Sequence, residues 1–263
     1  MSKIFFIGAG KMAGAIAGGM VSSGCFAAED LAAYDVSDAA ARKFSEATGI
    51  GCTASPDFKD FDAVLIAVKP QALESALGAL GEKFAGKLVL SIVAGVTLEK
   101  LSKLCPGARI VRIMPNTPAL VGCGAAAYAP GKTATGADLE LAEKILSSVG
   151  IAIRVKENDL DAVTALSGSG PAYVFEFIDA LASGGVAEGL TRPVALELAI
   201  RTVLGAARML EKTHEHPGVL RDAVTSPAGT TARALEVMEQ GAFRGLVIAA
   251  VRAAAERSRE FGK

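Results

Sequence analysis

Apolar residues follow two rhythms along this chain, and the change falls near residue 156. Before it, short apolar runs alternate with stretches of helical spacing. Lys3–Ile7 reads as a buried strand from its apolar continuity, and Met12, Ile16, Met20 and Val21 then recur three or four residues apart. Further strands are expected at Leu31–Asp35, near Ile50–Ala54, and at Ala63–Val68, Leu88–Val93, Arg109–Ile113, Ala125–Ala129 and Ile151–Val155. Helices are expected at Asp38–Thr48, Leu98–Leu104 and Asp138–Ser147. Strands that alternate with helices predict βαβ units and a mainly parallel sheet.

After Val155 the strand-like runs stop. Long helices rich in Ala, Leu and Val are expected from Pro171 to about Gly189, from Thr191 to Thr213, and from Phe243 to Glu260, with shorter ones at Pro217–Val224 and Thr230–Glu239. Pro171 and Pro193 suit first-turn positions, where a missing N–H does no harm. These helices are apolar around most of their circumference, so most of that circumference must be covered. About a hundred residues cannot supply that cover alone, which predicts a homo-oligomer. The expected architecture is an α/β, Rossmann-like domain with a mainly parallel sheet over residues 1–156, and an all-helical domain for substrate binding and dimerisation over 157–263.

The 263 residues carry a net charge of −1, with no tryptophan and three tyrosines. Neither a nucleic-acid nor a membrane-surface partner fits that balance. No stretch reads as a membrane span, and the apolar run at Ile4–Ile7 is too short for a signal peptide, so a cytoplasmic location is expected. Cys25, Cys52, Cys105 and Cys123 lie far apart, and no metal site is predicted from them. His214 and His216 read as surface residues near a helix end.

Gly8-Ala9-Gly10-Lys11-Met12-Ala13 stands between a strand and a helix, where a dinucleotide fingerprint belongs. The first glycine allows a tight turn, the second lets the backbone approach a pyrophosphate, and Ala13 allows close packing of helix on strand. Asp35 ends the second strand and can accept a hydrogen bond from a ribose 2′-OH. It would also repel a 2′-phosphate, so the choice between NAD(H) and NADP(H) stays open. Lys69-Pro70 follows a strand at its carboxyl end, where ligands bind in open α/β sheets. Asn116, in a loop fixed by Pro115 and Pro118, is a candidate to orient the nicotinamide or its ribose; the alternative is a rigid connector. Ser226-Pro227-Ala228-Gly229-Thr230-Thr231 opens a late helix. Unpaired N–H groups and hydroxyls together suit a small carboxylate there.

Several blocks in order resemble pyrroline-5-carboxylate reductase: IGAGKMAGAI at 7–16, AVKP at 67–70, SIVAGVTL at 91–98, RIMPNTPALV at 112–121, SGSGPAYVF at 167–175, HPGVLRD at 216–222 and SPAGTT at 226–231. The resemblance covers nearly the whole chain. It implies reduction of 1-pyrroline-5-carboxylate to L-proline, the last step of proline biosynthesis, with NADP(H) or NAD(H). It implies cofactor contacts from Ile7, Gly8, Ala9, Gly10, Lys11 and Met12, from Ala67, Val68, Lys69 and Pro70, and from Ile92, Val93 and Ala94. Ser226, Gly229, Thr230 and Thr231 would hold the substrate, with Thr231 nearest its ring nitrogen. The implied partners are a small molecule with one carboxylate and further copies of the chain, as a homodimer at least and up to a decamer of dimers. Two positions depart from the family's pattern. Ala228 stands where many members have glycine and would be strained if φ is positive. Asp35 stands where NADPH-preferring members often have a small hydroxyl residue.

A β-hydroxyacid dehydrogenase is the competing enzyme class. It needs a lysine on the first long helix of the second domain, and Pro171–Gly189 has none. A catalytically silent NAD(P)-binding sensor is the other alternative.

Overall fold

The strands, in chain order, are Ile4–Ile7 (β1), Leu31–Tyr34 (β2), Gly51–Cys52 (β3), Ala63–Ile66 (β4), Leu88–Ser91 (β5), Arg109–Met114 (β6), Gly124–Pro130 (β7) and Gly150–Arg154 (β8). They form one sheet in the order β3-β2-β1-β4-β5-β6-β7-β8. The computed structural model that gives this arrangement describes residues 2–261. Every neighbouring pair is parallel except β6 and β7. The connection between those two, Pro115–Cys123, falls short of the roughly dozen residues a parallel crossover needs, so the chain doubles back.

Helices cover both faces of the sheet. Lys11–Ser22 (α1), Asp38–Thr48 (α2), Leu73–Leu77 (α3), Leu98–Leu104 (α4), Gly136–Ser147 (α5) and Leu160–Val163 (α6) belong to the same unit as the strands. Alternate residues of β1 feed two cores. Ile4 and Phe6 pack with Ile16 and Met20 of α1, Phe44 of α2 and Ile145 of α5. Phe5 and Ile7 pack with Leu73 and Leu77 of α3 and Leu101 of α4. A strand buried on both faces must be apolar throughout, which explains the unbroken run at Ile4–Ile7.

The helices begin and end on local signals. Ser37 accepts the Ala40 N–H to start α2, and Gly49 ends it in the left-handed region at φ 72°. Thr135 and Asp138 form a reciprocal capping box at α5. Asp138 is buried and also accepts from Arg109 Nε at 2.9 Å. Burial pushes its carboxyl up, but Arg109 and Thr135 outweigh that and hold it below the usual range. Glu157 accepts the Leu98 N–H at 2.6 Å, which caps α4, and pairs with the buried Arg112 at 3.3 Å. After α6 the chain takes a π turn over Thr164–Gly168, and the Ser169 N–H donates to the Thr164 carbonyl at 2.8 Å.

The second compact unit, Gly170–Arg252, holds Gly170–Ala187 (α7), Arg192–Thr213 (α8), Pro217–Ala223 (α9), Thr230–Gln240 (α10) and the start of Phe243–Phe261 (α11). Residues from Ala253 onward group with the sheet unit. Thr191 takes the N-cap conformation at α8 without a side-chain bond, and Pro193 has no N–H to donate from the second helical position. His214 caps the end of α8 at φ 55°, and His216 Nδ1 accepts the Gly218 N–H at the start of α9. The core of this unit contains only small side chains, Ala182, Ala195 and Ala199, flanked by Ile178 and Val186. Large apolar residues lie outside it: Phe175 is 65% exposed and Leu246 67%. Uncovered apolar area on this scale marks an association surface.

All four cysteines are free thiols. Burial pushes the Cys105 thiol up to about 12, so it stays protonated and unreactive in the folded chain. Among the described residues no cluster of metal-ligating side chains occurs, and no helix is long and apolar enough to cross a membrane.

Candidate active site

β1 ends at Ile7, and the chain must then turn within three residues into α1. Gly8 makes the turn at φ 101°. Its N–H donates to the Tyr34 carbonyl at 2.8 Å, and the Ala67 N–H donates to the Ile7 carbonyl at 2.8 Å, so the turn is wedged between the ends of β2 and β4. A Cβ on Gly8 would lie 2.8 Å from the Ala67 carbonyl carbon and oxygen. Gly10 is different. It is the N-cap of α1 at φ −76°, and a Cβ there would meet nothing within 4 Å. Nothing in the protein requires glycine at position 10. The open space before it, facing the unpaired first amides of α1, fits a pyrophosphate.

Asp35 staples this turn to the end of β2. Its Oδ2 accepts the Ala9 N–H and its Oδ1 accepts the Ser37 N–H, each at 2.8 Å. Beside it lies a cavity of about 470 Å³ whose lining includes Asp38, Arg42 and Glu46. Ala67, Val68, Lys69 and Pro70 follow β4, and Ile92, Val93 and Ala94 follow β5, so both groups stand at carboxyl ends of parallel strands. The side chains of Ile7 and Val93 are buried in the core and leave only backbone for a ligand, whereas Lys11, Lys69 and Ala94 are exposed.

Asn116 follows β6 and is only 7% exposed. Its Oδ1 accepts the Ala125 N–H at 2.8 Å, and its Nδ2 donates to the Ser167 carbonyl at 3.1 Å. The amide thus bridges the proline-rich loop, the start of β7 and the π turn, which is the connector geometry. The Ser167 hydroxyl is likewise engaged by backbone carbonyls, those of Ala125 and Val163. Neither the π turn nor the Asp35–Ala9 bond carries a local sequence signal, because each depends on a partner brought close only by the sheet.

The other group of predicted residues lies within the helical unit. Gly229 is the N-cap of α10, and its N–H donates to the Ser226 carbonyl at 3.0 Å. A Cβ on Gly229 would overlap Ser226 Oγ, which would have to rotate away, and would lie 3.1 Å from the Ser226 carbonyl oxygen. The N-cap is a glycine, so no N-cap side chain closes the start of α10. Ser226, Thr230 and Thr231 stand within six consecutive residues at this helix start, whose first amides favour an anion.

Ala228 has φ 54°, so the strain expected of alanine at this position is present. Ala228→Gly should stabilise the chain by about 0.5–1 kcal/mol, the left-handed penalty less the added freedom of glycine when unfolded. Thermal unfolding of the two chains checks this, and a lower Tm for the glycine variant would refute it.

A mainly parallel sheet with a glycine turn at the first strand's carboxyl end and an acidic residue at the end of the second is the layout of a Rossmann-type dinucleotide-binding protein. Residues 3–95 match the family described as NADP oxidoreductase, coenzyme F420-dependent, and residues 157–261 match that described as pyrroline-5-carboxylate reductase dimerisation. The pyrroline-5-carboxylate reductase of Methanosarcina acetivorans is 45% identical over 99% of this chain and 98% of its own. The structure of such a reductase from Coxiella burnetii aligns with a TM-score of 0.93 at 37% identity, covering 100% of this chain and 99% of its own. One from Plasmodium falciparum, solved with NADP bound, aligns with a TM-score of 0.89 at 34% identity, covering 100% of this chain and 98% of its own. The chain belongs to the pyrroline-5-carboxylate reductase family.

Proposed function

We propose that this chain reduces 1-pyrroline-5-carboxylate to L-proline, taking hydride from NADPH or NADH. The observation that carries the reading is the start of α10, where a glycine N-cap leaves the first amides without a side-chain cap beside Ser226, Thr230 and Thr231, a donor set that suits one carboxylate. A bound dinucleotide supplies the hydride that adds to the imine carbon. The chain's own residues do the rest. The turn at Gly8–Met12, the segments Ala67–Pro70 and Ile92–Ala94, and Asp35 hold the dinucleotide. Asn116 acts through its bridge to Ser167 and Ala125, as a positioning residue. Ser226, Gly229, Thr230 and Thr231 hold the carboxylate and so fix which face of the ring is open to attack. The ring nitrogen gains a proton as the carbon gains hydride. Thr231 hydrogen-bonds that nitrogen; an ordinary hydroxyl is too weak an acid to be the ultimate donor, so it aligns the iminium or relays a proton from water.

In this reading residues 1–156 bind the cofactor, and 157–263 bind substrate and dimerise. The exposed apolar faces of α7, α8 and α11 are covered by a second copy, and the homodimer is the minimum assembly, with a decamer of dimers as the larger form. The chain works in the cytoplasm. Steady-state oxidation of NADPH and NADH, each with and without 1-pyrroline-5-carboxylate, tests the activity. Imine-dependent oxidation of at least one is expected, and failure with both would overturn the reading. Sedimentation equilibrium tests the assembly; a stable monomer would overturn that part.

A further inference from the structure

We propose that Asp35 is a specificity-determining residue that makes this chain prefer NADH to NADPH. The proposal rests on the reading above, in which the turn at Gly8–Met12 receives the pyrophosphate. Asp35 Oδ2 accepts the Ala9 N–H of that turn at 2.8 Å, so the carboxylate stands one hydrogen bond away from it. The end of the second strand is where this class of fold receives the ribose 2′-position. NADH offers a hydroxyl there. NADPH offers a phosphate with about two negative charges at neutral pH.

A carboxylate free to rotate would turn away from a phosphate. This one is held at both oxygens, because Oδ1 also accepts the Ser37 N–H at 2.8 Å. Each oxygen keeps a further lone pair, so the group can accept from a ribose hydroxyl without leaving its place. The start of α2 would otherwise attract a phosphate, but the chain's own oxygens occupy it. Asp35 takes the Ser37 N–H, Ser37 Oγ takes the Ala40 N–H at 3.3 Å, and Asp38 sets a negative charge in the first turn. The cavity beside Asp35 carries three carboxylates, Asp35, Asp38 and Glu46, against one guanidinium, Arg42. Among the described residues none of these carboxylates forms an ion pair. Lys43, the next cation along α2, lines a different cavity with Gly14 and Gly18. A 2′-phosphate therefore gains one cation and meets three like charges, one of them fixed in place.

The test uses the full chain and its D35S and D35N variants. NADH and NADPH dissociation constants are measured by fluorescence titration at low and high salt, beside imine-dependent oxidation of each. The wild-type chain is expected to bind NADH roughly tenfold or more tighter than NADPH, and added salt should narrow the gap. Both variants also lose backbone bonds to the glycine turn, which weakens the two dinucleotides alike. The readout is therefore the ratio of the two Kd values within one variant, which a looser turn alone does not move. That ratio is expected to shift toward NADPH by about fivefold or more in each variant. A wild-type chain that binds NADPH as tightly as NADH, or variants that keep the wild-type ratio, overturns the proposal. A chain that shows the preference but reduces no imine upholds the proposal and overturns the functional reading. A chain that binds neither dinucleotide overturns both.

Discussion

Thr231→Ala lowers imine turnover roughly 10- to 100-fold and leaves dinucleotide affinity unchanged; that is the expected result for a hydroxyl bonded to a nitrogen that becomes charged. The effect should fall mainly on kcat, because the hydroxyl serves the step in which the ring nitrogen changes protonation or charge and not the holding of the carboxylate. Changes at Ser226 or Thr230 should instead raise KM, since a carboxylate is held equally in the ground and transition states. Thr231→Ser keeps the hydroxyl and should keep most of the rate. The N-cap of α10 is Gly229 and not Thr231, so alanine, a better helix former, should not lower Tm. Wild-type kcat in Thr231→Ala would remove this side chain from the chemistry.

The same group of residues shows what could be read before any fold was known. The start of α10 at Thr230 was legible because its geometry is local: a helix start needs only consecutive residues. The strain at Ala228 was legible as a condition, alanine where a positive φ is called for, and the angle of 54° meets that condition. The first strand and its glycine turn were legible for the same local reason. The strand directions were less so. β6 and β7 read as two ordinary apolar runs, and only the shortness of the loop between them dictates that they run antiparallel. The expected strand near Ile50–Ala54 shrinks to Gly51–Cys52, at the sheet edge, where pairing is available on one side only. Glu157 capping α4 across 59 residues, and Asp35 gripping Ala9 across 26, were beyond sequence reading because tertiary pairing alone brings them together. Asn116 shows the limit from the other direction. Its position marked it as a candidate ligand contact, and burial then commits both ends of its amide to the backbone.

The two glycines of the first turn should fail in opposite ways when replaced. Gly8→Ala places a Cβ 2.8 Å from backbone atoms of Ala67 and demands φ 101° of an alanine. Neither neighbour is a flexible side-chain end that can move aside. A left-handed penalty of about 1–2 kcal/mol and an overpacking penalty of about 1–3 kcal/mol add, so the fold itself should be weakened by several kcal/mol. Gly10→Asp meets open space at φ −76°, in the N-cap position that aspartate favours. It should stabilise α1 by about 0.5–1 kcal/mol, by capping free amides and by setting a negative charge at the helix's positive end. Those same amides are the ones a pyrophosphate would take, and a fixed carboxylate there repels it by several kcal/mol at close range. Dinucleotide affinity should therefore fall more than roughly 100-fold in a chain whose Tm is unchanged or raised. Isothermal titration with NADPH and NADH, beside thermal unfolding of each variant, reads both quantities. Wild-type affinity in Gly10→Asp would mean that the phosphates lie elsewhere, and the assignment of Gly8–Met12 to the cofactor would fall with it.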